Sequence, residues 1–164
     1  KSLQALAFLT ALDAFPALII CPAFARGSWA TQVEQWGIAR PGEYRVVRGG
    51  TTSLPNAAGQ ENAPKIVIIS YTMARFQFEP IKRRQWKGFV IDESHRLSTS
   101  KKAENDFEDD AGVGSETRAV FQLLKGAEKS TPIVFLSGTP AWTSTFDIFN
   151  QAELLRPGLL GTSK

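Results

Sequence analysis

Four short apolar runs limit what this chain can become: Ala17-Leu18-Ile19-Ile20-Cys21, Ile66-Val67-Ile68-Ile69, Gly88-Phe89-Val90-Ile91 and residues 132–136. A strand wetted on one face alternates apolar with polar side chains, whereas continuous apolar runs of this length belong to strands covered on both faces. The intervening segments are helical in pattern. Residues 2–14 are apolar nearly all round, which predicts a buried helix. Residues 27–36 set Trp29, Val33 and Trp36 at i, i+4 and i+7, so both tryptophans are expected in the core, and Gly37 ends that helix. A short helix is expected over 71–78, and another over 116–125 that buries Ala119, Val120, Leu123 and Leu124. Ser144-Thr145-Phe146-Asp147 reads as a capping box opening a helix to about Leu155, which Pro157-Gly158 stops. Residues 44–48 are a further strand candidate. Strands alternating with helices specify an α/β fold: a mainly parallel sheet between two helical layers.

The residues just past each run are as informative as the run itself. Pro22-Ala23, Ser70-Tyr71-Thr72, Asp92-Glu93-Ser94-His95 and Ser137-Gly138-Thr139 all stand at a strand's C-terminal end. In an open α/β sheet, that edge forms the ligand crevice. The third cluster is the sharpest. Adjacent ionised carboxylates at the end of a buried strand are costly unless something cationic holds them. A divalent cation on a phosphate would do so. Taken singly, each cluster has a plainer use: two acids can cap a helix and occupy its first turn, and Ser-Gly-Thr-Pro can be a turn. Their collection on one edge favours a site.

Composition removes several classes. At 164 residues the chain is one domain by length. Its net charge of +3 permits contact with nucleic acid without demanding it. Cys21 is the single cysteine, which excludes an internal disulfide and fits a small buried apolar residue. No apolar run reaches the roughly 18 residues of a membrane-spanning helix. Gln4, Thr10 and Asp13 interrupt the one stretch that could pass for a secretory signal. Residues 51–64 read as loop, and 98–114 as a flexible acidic insertion whose acids do not match a calcium loop. The chain opens with Lys1 rather than methionine, so a piece of a longer protein is expected.

Taken together, the clusters resemble the motifs of superfamily-two helicases and translocases. Asp92-Glu93-Ser94-His95 resembles their Walker B element in its Asp-Glu-x-His form. Leu136-Ser137-Gly138-Thr139-Pro140 resembles motif III as the Swi/Snf branch writes it, Ile20-Cys21-Pro22-Ala23 motif Ia, and Ile69-Ser70-Tyr71 motif Ib. With Ser94, Leu123-Leu124-Lys125 and Pro140-Ala141, the chain is most similar to the annealing-helicase subgroup of Swi/Snf-type DNA-dependent ATPases. Lys1-Ser2 then resembles the last two letters of a P-loop, Gly-x-x-x-x-Gly-Lys-[Ser/Thr].

The resemblance implies a three-layer RecA-like P-loop NTPase lobe lacking its first strand and P-loop. Residues 1–164 would be a partial helicase ATP-binding lobe, with 98–114 a flexible insertion in it. Its cofactors would be ATP and Mg2+. Lys1 and Ser2 would bind ATP, and Ser2 and Asp92 would hold the metal. Asp92, Glu93 and His95 would be catalytic, with Glu93 orienting or deprotonating the attacking water. Ser137, Gly138 and Thr139 would couple hydrolysis to motion. Pro22, Ala23, Ser70 and Tyr71 would face a nucleic-acid backbone, and Lys82-Arg83-Arg84 would either join them or form a solvated face. The implied partners are DNA, including forked or single/double-strand junctions, and a second RecA-like lobe of the same protein, with no membrane. The implied location is intracellular, the nucleus in a eukaryote and otherwise the cytoplasm. The implied function is the ATP-binding and hydrolysing lobe of a DNA-dependent translocase that remodels DNA or anneals strands. One lobe alone is expected to be inactive, because such motors work by closing two lobes on the nucleotide. Rival readings are a catalytically inactive scaffold binding DNA or a partner, and another P-loop enzyme such as a small-molecule kinase. The paired acids disfavour both.

Overall fold

The computed structural model of the chain describes residues 1–49, 54, 63–97, 115–141 and 146–161. The expected 98–114 insertion, Ser144-Thr145 of the capping box and most of the 51–64 loop lie outside the described residues.

The four apolar runs become β1 (Ala17–Cys21), β3 (Ile66–Ser70), β4 (Gly88–Asp92) and β5 (Ile133–Leu136), and a short β2 (Tyr44–Val46) joins them. The five strands pair in the order β2-β3-β1-β4-β5, and every pairing is parallel. β1 sits in the centre, with Ile19 opposite Ile68 on one side and Val90 on the other. This register brings Cys21 level with Ser70, and Asp92 level with Leu136, at one edge of the sheet.

The runs are continuous because both faces are covered. Ile19, Cys21, Ile68 and Val90 pack under α1 (Ser2–Ala11) and α2 (Arg26–Gln35). Leu18, Ile20, Val67, Ile69 and Ile91 pack under α3 (Tyr71–Phe76), α4 (Phe78–Arg83) and α5 (Ser115–Lys125), with Leu154 of α6 (Phe146–Leu155). Each such aliphatic side chain contributes about 1.5–3 kcal/mol by leaving water. Ala119, Val120, Leu123 and Leu124 are buried on α5 as expected. Gly37, with φ +64, ends the second helical segment.

Four expectations are corrected. The first helix is not buried all round: Ala5, Leu6 and Leu9 face the sheet, while Leu3, Phe8 and Leu12 are exposed. The layer is one helix thick, so only one stripe can reach the strands. Trp36 is not core. It stands one residue past α2, 45% exposed, its indole N–H donating to Gln32 Oε1 at 3.0 Å. The helix expected over 71–78 breaks at Gln77. Pro80 would clash with the Phe76 carbonyl in a continuous helix, but it sits without cost in the first turn of α4, where no intrahelical N–H is needed. Lys82-Arg83-Arg84 leads into the start of β4, at the edge opposite the polar clusters; Lys82 and Arg83 are exposed there, as a solvated face would be, and Arg84 alone departs from it. Arg84 is buried: its guanidinium donates to the Pro64 carbonyl at 3.1 Å and stacks 4.6 Å from the Trp86 ring, and burial lowers its pKa. Among the described residues, no helix is long and apolar enough to cross a membrane.

Candidate active site

The parallel sheet delivers β1, β3, β4 and β5 to one edge, and α1 starts there too. Lys1, Ser2, Ala25, Ser28, Trp29, Gln32, Asp92 and Glu93 line a cleft of about 270 Å³ at that edge. The N-terminal N–H groups and positive dipole end of α1 favour an anion beside Lys1 and Ser2. A Cβ built on Gly138 would lie 3.6 Å from Lys1 Nζ, so the ammonium rests against the Ser137-Gly138-Thr139 loop. Residues as far apart in sequence as Lys1, Asp92 and Gly138 thus meet in one place.

Asp92 is held on both oxygens. The indole N–H of Trp29 donates to Oδ2 at 2.9 Å, and the Glu93 backbone N–H donates to Oδ1 at 3.0 Å. A carboxylate offers about four lone-pair directions, so roughly half remain for a ligand. Glu93 adopts φ +53, a left-handed backbone that non-glycine residues rarely take and that clusters at functional sites. Its Oε2 lies 3.3 Å from His95 Nδ1, which is also 3.1 Å from Ser137 Oγ. Ser137 Oγ accepts the Thr139 backbone N–H at 3.0 Å. His95 therefore stands between the acid pair and the loop after β5. Ser2 donates its hydroxyl to Gln32 Oε1 at 3.2 Å.

The expected nucleic-acid contacts divide. Ala23 is exposed at the end of β1, but Pro22, Ser70 and Tyr71 are buried. Ser70 caps α3, its hydroxyl accepting the Met73 backbone N–H at 3.3 Å. Tyr71 turns inward and donates its hydroxyl to the Asp92 carbonyl at 2.8 Å. Burial raises the Tyr71 pKa, against the opposing charge of Arg96, whose guanidinium lies 4.7 Å from its ring. Cys21, directly below this edge, is pushed up to about 12 by burial, with the Asp92 charge adding and Arg26 opposing.

Two residues outside the sequence motifs shape the site. Helical spacing places Trp29 in the core, but a buried indole N–H also demands an acceptor, and here that acceptor is Asp92. Gln151 is buried on α6, but Asp147, Asn150 and Glu153 share that helix, so no signal in the sequence singles it out. It accepts from Ser94 Oγ at 2.8 Å and donates to the Pro140 carbonyl at 2.9 Å, tying the acid-bearing turn to the loop after β5.

The residues present suit a hard cation on a phosphate. Among the described residues, no group of three or more His, Cys, Asp or Glu side chains could hold a metal alone. Magnesium in phosphate sites asks for one or two protein oxygens, with phosphate and water completing its shell. The Asp92 carboxylate and the Ser2 hydroxyl, in one cleft with Lys1, meet that requirement.

Comparison with known proteins bears on the family and the fold. The family model described as SNF2-related domain matches residues 1–164. The TATA-binding protein-associated factor BTAF1 of Arabidopsis thaliana is 25% identical over 153 residues, covering 93% of this chain and 7% of that protein. The DNA annealing helicase and endonuclease ZRANB3 of Bos taurus is 26% identical over 155 residues, covering 92% of this chain and 13% of that protein. The chain therefore spans a small part of the curated relatives it matches. The Sulfolobus solfataricus SWI2/SNF2 ATPase core, solved in complex with dsDNA, superimposes with a TM-score of 0.66 at 20% identity, covering 99% of this chain and 30% of that one. The likeness establishes the fold as the RecA-like lobe of such a core, as the sequence motifs implied.

Proposed function

The chain belongs to the SNF2-related domain family, and we propose that it is the ATP-binding and hydrolysing lobe of a DNA-dependent translocase. The observation that supports this most is the meeting of Lys1, Ser2, Asp92 and Glu93 in one cleft. Lys1 and the N-terminus of α1 bind the triphosphate, and Asp92 with Ser2 holds the magnesium that accompanies it. Magnesium on the triphosphate supplies neutralisation of the charge on the phosphoryl group being transferred. Glu93 accepts a proton from the attacking water and orients it. His95 lies between Glu93 and Ser137, so a shift in the Ser137-Gly138-Thr139 loop reaches the acid pair through one side chain. That is the coupling role assigned to the loop.

DNA is the proposed partner, met mainly through backbone amides and the exposed Ala23 turn rather than through Ser70 or Tyr71. Contacts of this kind depend on N–H groups as much as on cationic side chains, which suits a net charge of only +3. A second RecA-like lobe of the same protein would complete the motor. The test is DNA-stimulated ATP hydrolysis by the full-length protein. Glu93→Gln is expected to lower turnover roughly 100-fold or more while ATP still binds, the scale of a lost general base. Unchanged turnover would refute the role given to Glu93.

A further inference from the structure

Asp92 is gripped from both faces of the sheet by aromatic donors to which the proposed reaction assigns no part. Trp29 stands on α2, in the layer shared with α1, and its indole N–H reaches Asp92 Oδ2 at 2.9 Å. Tyr71 opens α3 on the opposite layer, and its hydroxyl reaches the Asp92 carbonyl at 2.8 Å, with the Glu93 carbonyl at 3.5 Å. Both rings are almost wholly buried, 3% and 1% exposed. Neither can swing away without leaving a cavity and an unsatisfied polar group.

The two bonds act on different things. An aspartate carboxylate turns easily about its last torsion, since that torsion has no sharp staggered minimum. Donors on both oxygens fix its plane: the Glu93 backbone N–H supplies one and Trp29, on α2, the other. The Tyr71 bond leaves the carboxylate alone and anchors the main chain just before Glu93. That main chain enters the left-handed region at Glu93, and a residue there persists only when its surroundings hold it.

We propose that Trp29 and Tyr71 are positioning residues for phosphoryl transfer: Trp29 fixes the Asp92 carboxylate for the cation, and Tyr71 fixes the backbone that aims Glu93. This rests on the proposed nucleotide site. It also moves Tyr71 from a nucleic-acid contact to the support of the acid pair.

The experiment uses the full-length protein with Trp29→Phe, Tyr71→Phe, and 3-benzothienylalanine at position 29, which keeps the shape of indole without its N–H. Calorimetric titration with ADP at varied Mg2+ gives metal-linked nucleotide affinity, and steady-state hydrolysis gives kcat and KM. Both position-29 variants should raise the Mg2+ concentration for half-maximal ADP binding about 10-fold, the usual scale for loss of an outer-shell partner. Tyr71→Phe should lower kcat about 10-fold while leaving KM for ATP and the Mg2+ dependence unchanged. If Trp29→Phe misfolds, the benzothienyl variant decides. A merely structural role predicts lower melting temperatures with neither the Mg2+ nor the kcat change, and that result would overturn the proposal while leaving the nucleotide site intact. A wild type that binds no Mg2+-dependent nucleotide would overturn the nucleotide site and this proposal with it.

Discussion

Gly88→Ala tests how tightly the helix that opens with Lys1 is seated on the strand that ends in Asp92. A Cβ added at Gly88 would lie 2.7 Å from Leu9 Cδ2, 2.8 Å from the Ala14 carbonyl oxygen and 3.1 Å from Ala14 Cβ. Leu9 is fully buried and packed, so its methyl has nowhere to go without a poor rotamer. The Ala14 oxygen is main chain, in the turn between α1 and β1, and relief there means moving that turn. Overpacking of this kind costs about 1–3 kcal/mol. Replacing glycine returns about 0.4–1 kcal/mol by restricting the unfolded chain. At mid-range the net is a loss of about 1.3 kcal/mol, which lowers the urea midpoint by roughly 0.6 M for a denaturant slope of about 2 kcal/mol/M. Gly27→Ala is the matched control: it lies in α2 with nothing within 4 Å of the added carbon. That change should be neutral or stabilising by about 0.5 kcal/mol. Urea unfolding followed by far-UV circular dichroism measures both. The clash is at the far end of β4, about 13 Å from Asp92 at the usual rise per residue, so metal-linked nucleotide affinity should change far less than stability. An unchanged midpoint for Gly88→Ala, or equal effects for the two substitutions, would refute the close seating of α1 on β4.

Buried groups near the same edge give two further outcomes. Burial raises Cys21 from its ordinary 9.0 to about 12. Folding therefore favours the protonated thiol, and its contribution is complete below pH 9 and lost as pH climbs from there towards 12. Native protein at pH 8 should resist Ellman's reagent, react fully once unfolded, and show an alkaline loss of stability that is shallower in Cys21→Ala. Fast labelling of the native thiol would contradict the burial. Ser70→Ala removes the cap of α3 and should cost about 1 kcal/mol of stability. It should leave both DNA affinity and its salt dependence unchanged, whereas a phosphate-contacting serine would weaken binding.

The sheet is legible in the sequence because burial on both faces leaves a continuous apolar signature, and β1 begins and ends where its apolar run does. The helices are harder to read, and for one reason. Periodicity shows that a residue can be buried, not how many layers lie beyond it, so it assigns the outer face of α1 and Trp36 to the core when both are exposed. Arg84 departs in the opposite direction: its charge reads as solvent-facing, yet the flat guanidinium is covered by Trp86 and satisfied by a carbonyl.

The site divides in the same way. The position of each polar cluster is readable, because a strand's end is set locally by where its apolar run stops. The direction of each side chain is not. Ser70 and Tyr71 are at the expected edge, but one turns back to cap its own helix and the other reaches across to Asp92. The reason is sequence distance. Trp29 and Tyr71 lie 63 and 21 residues from the acid they hold, on separate helices, and no periodicity spans such gaps. Local chemistry states only the demand: two adjacent acids at the end of a buried strand need something to hold them. The fold answers it in two parts. Lys1 lines the same cleft as the acids, and two buried aromatic donors meet Asp92 from behind, Trp29 at its carboxylate and Tyr71 at its carbonyl.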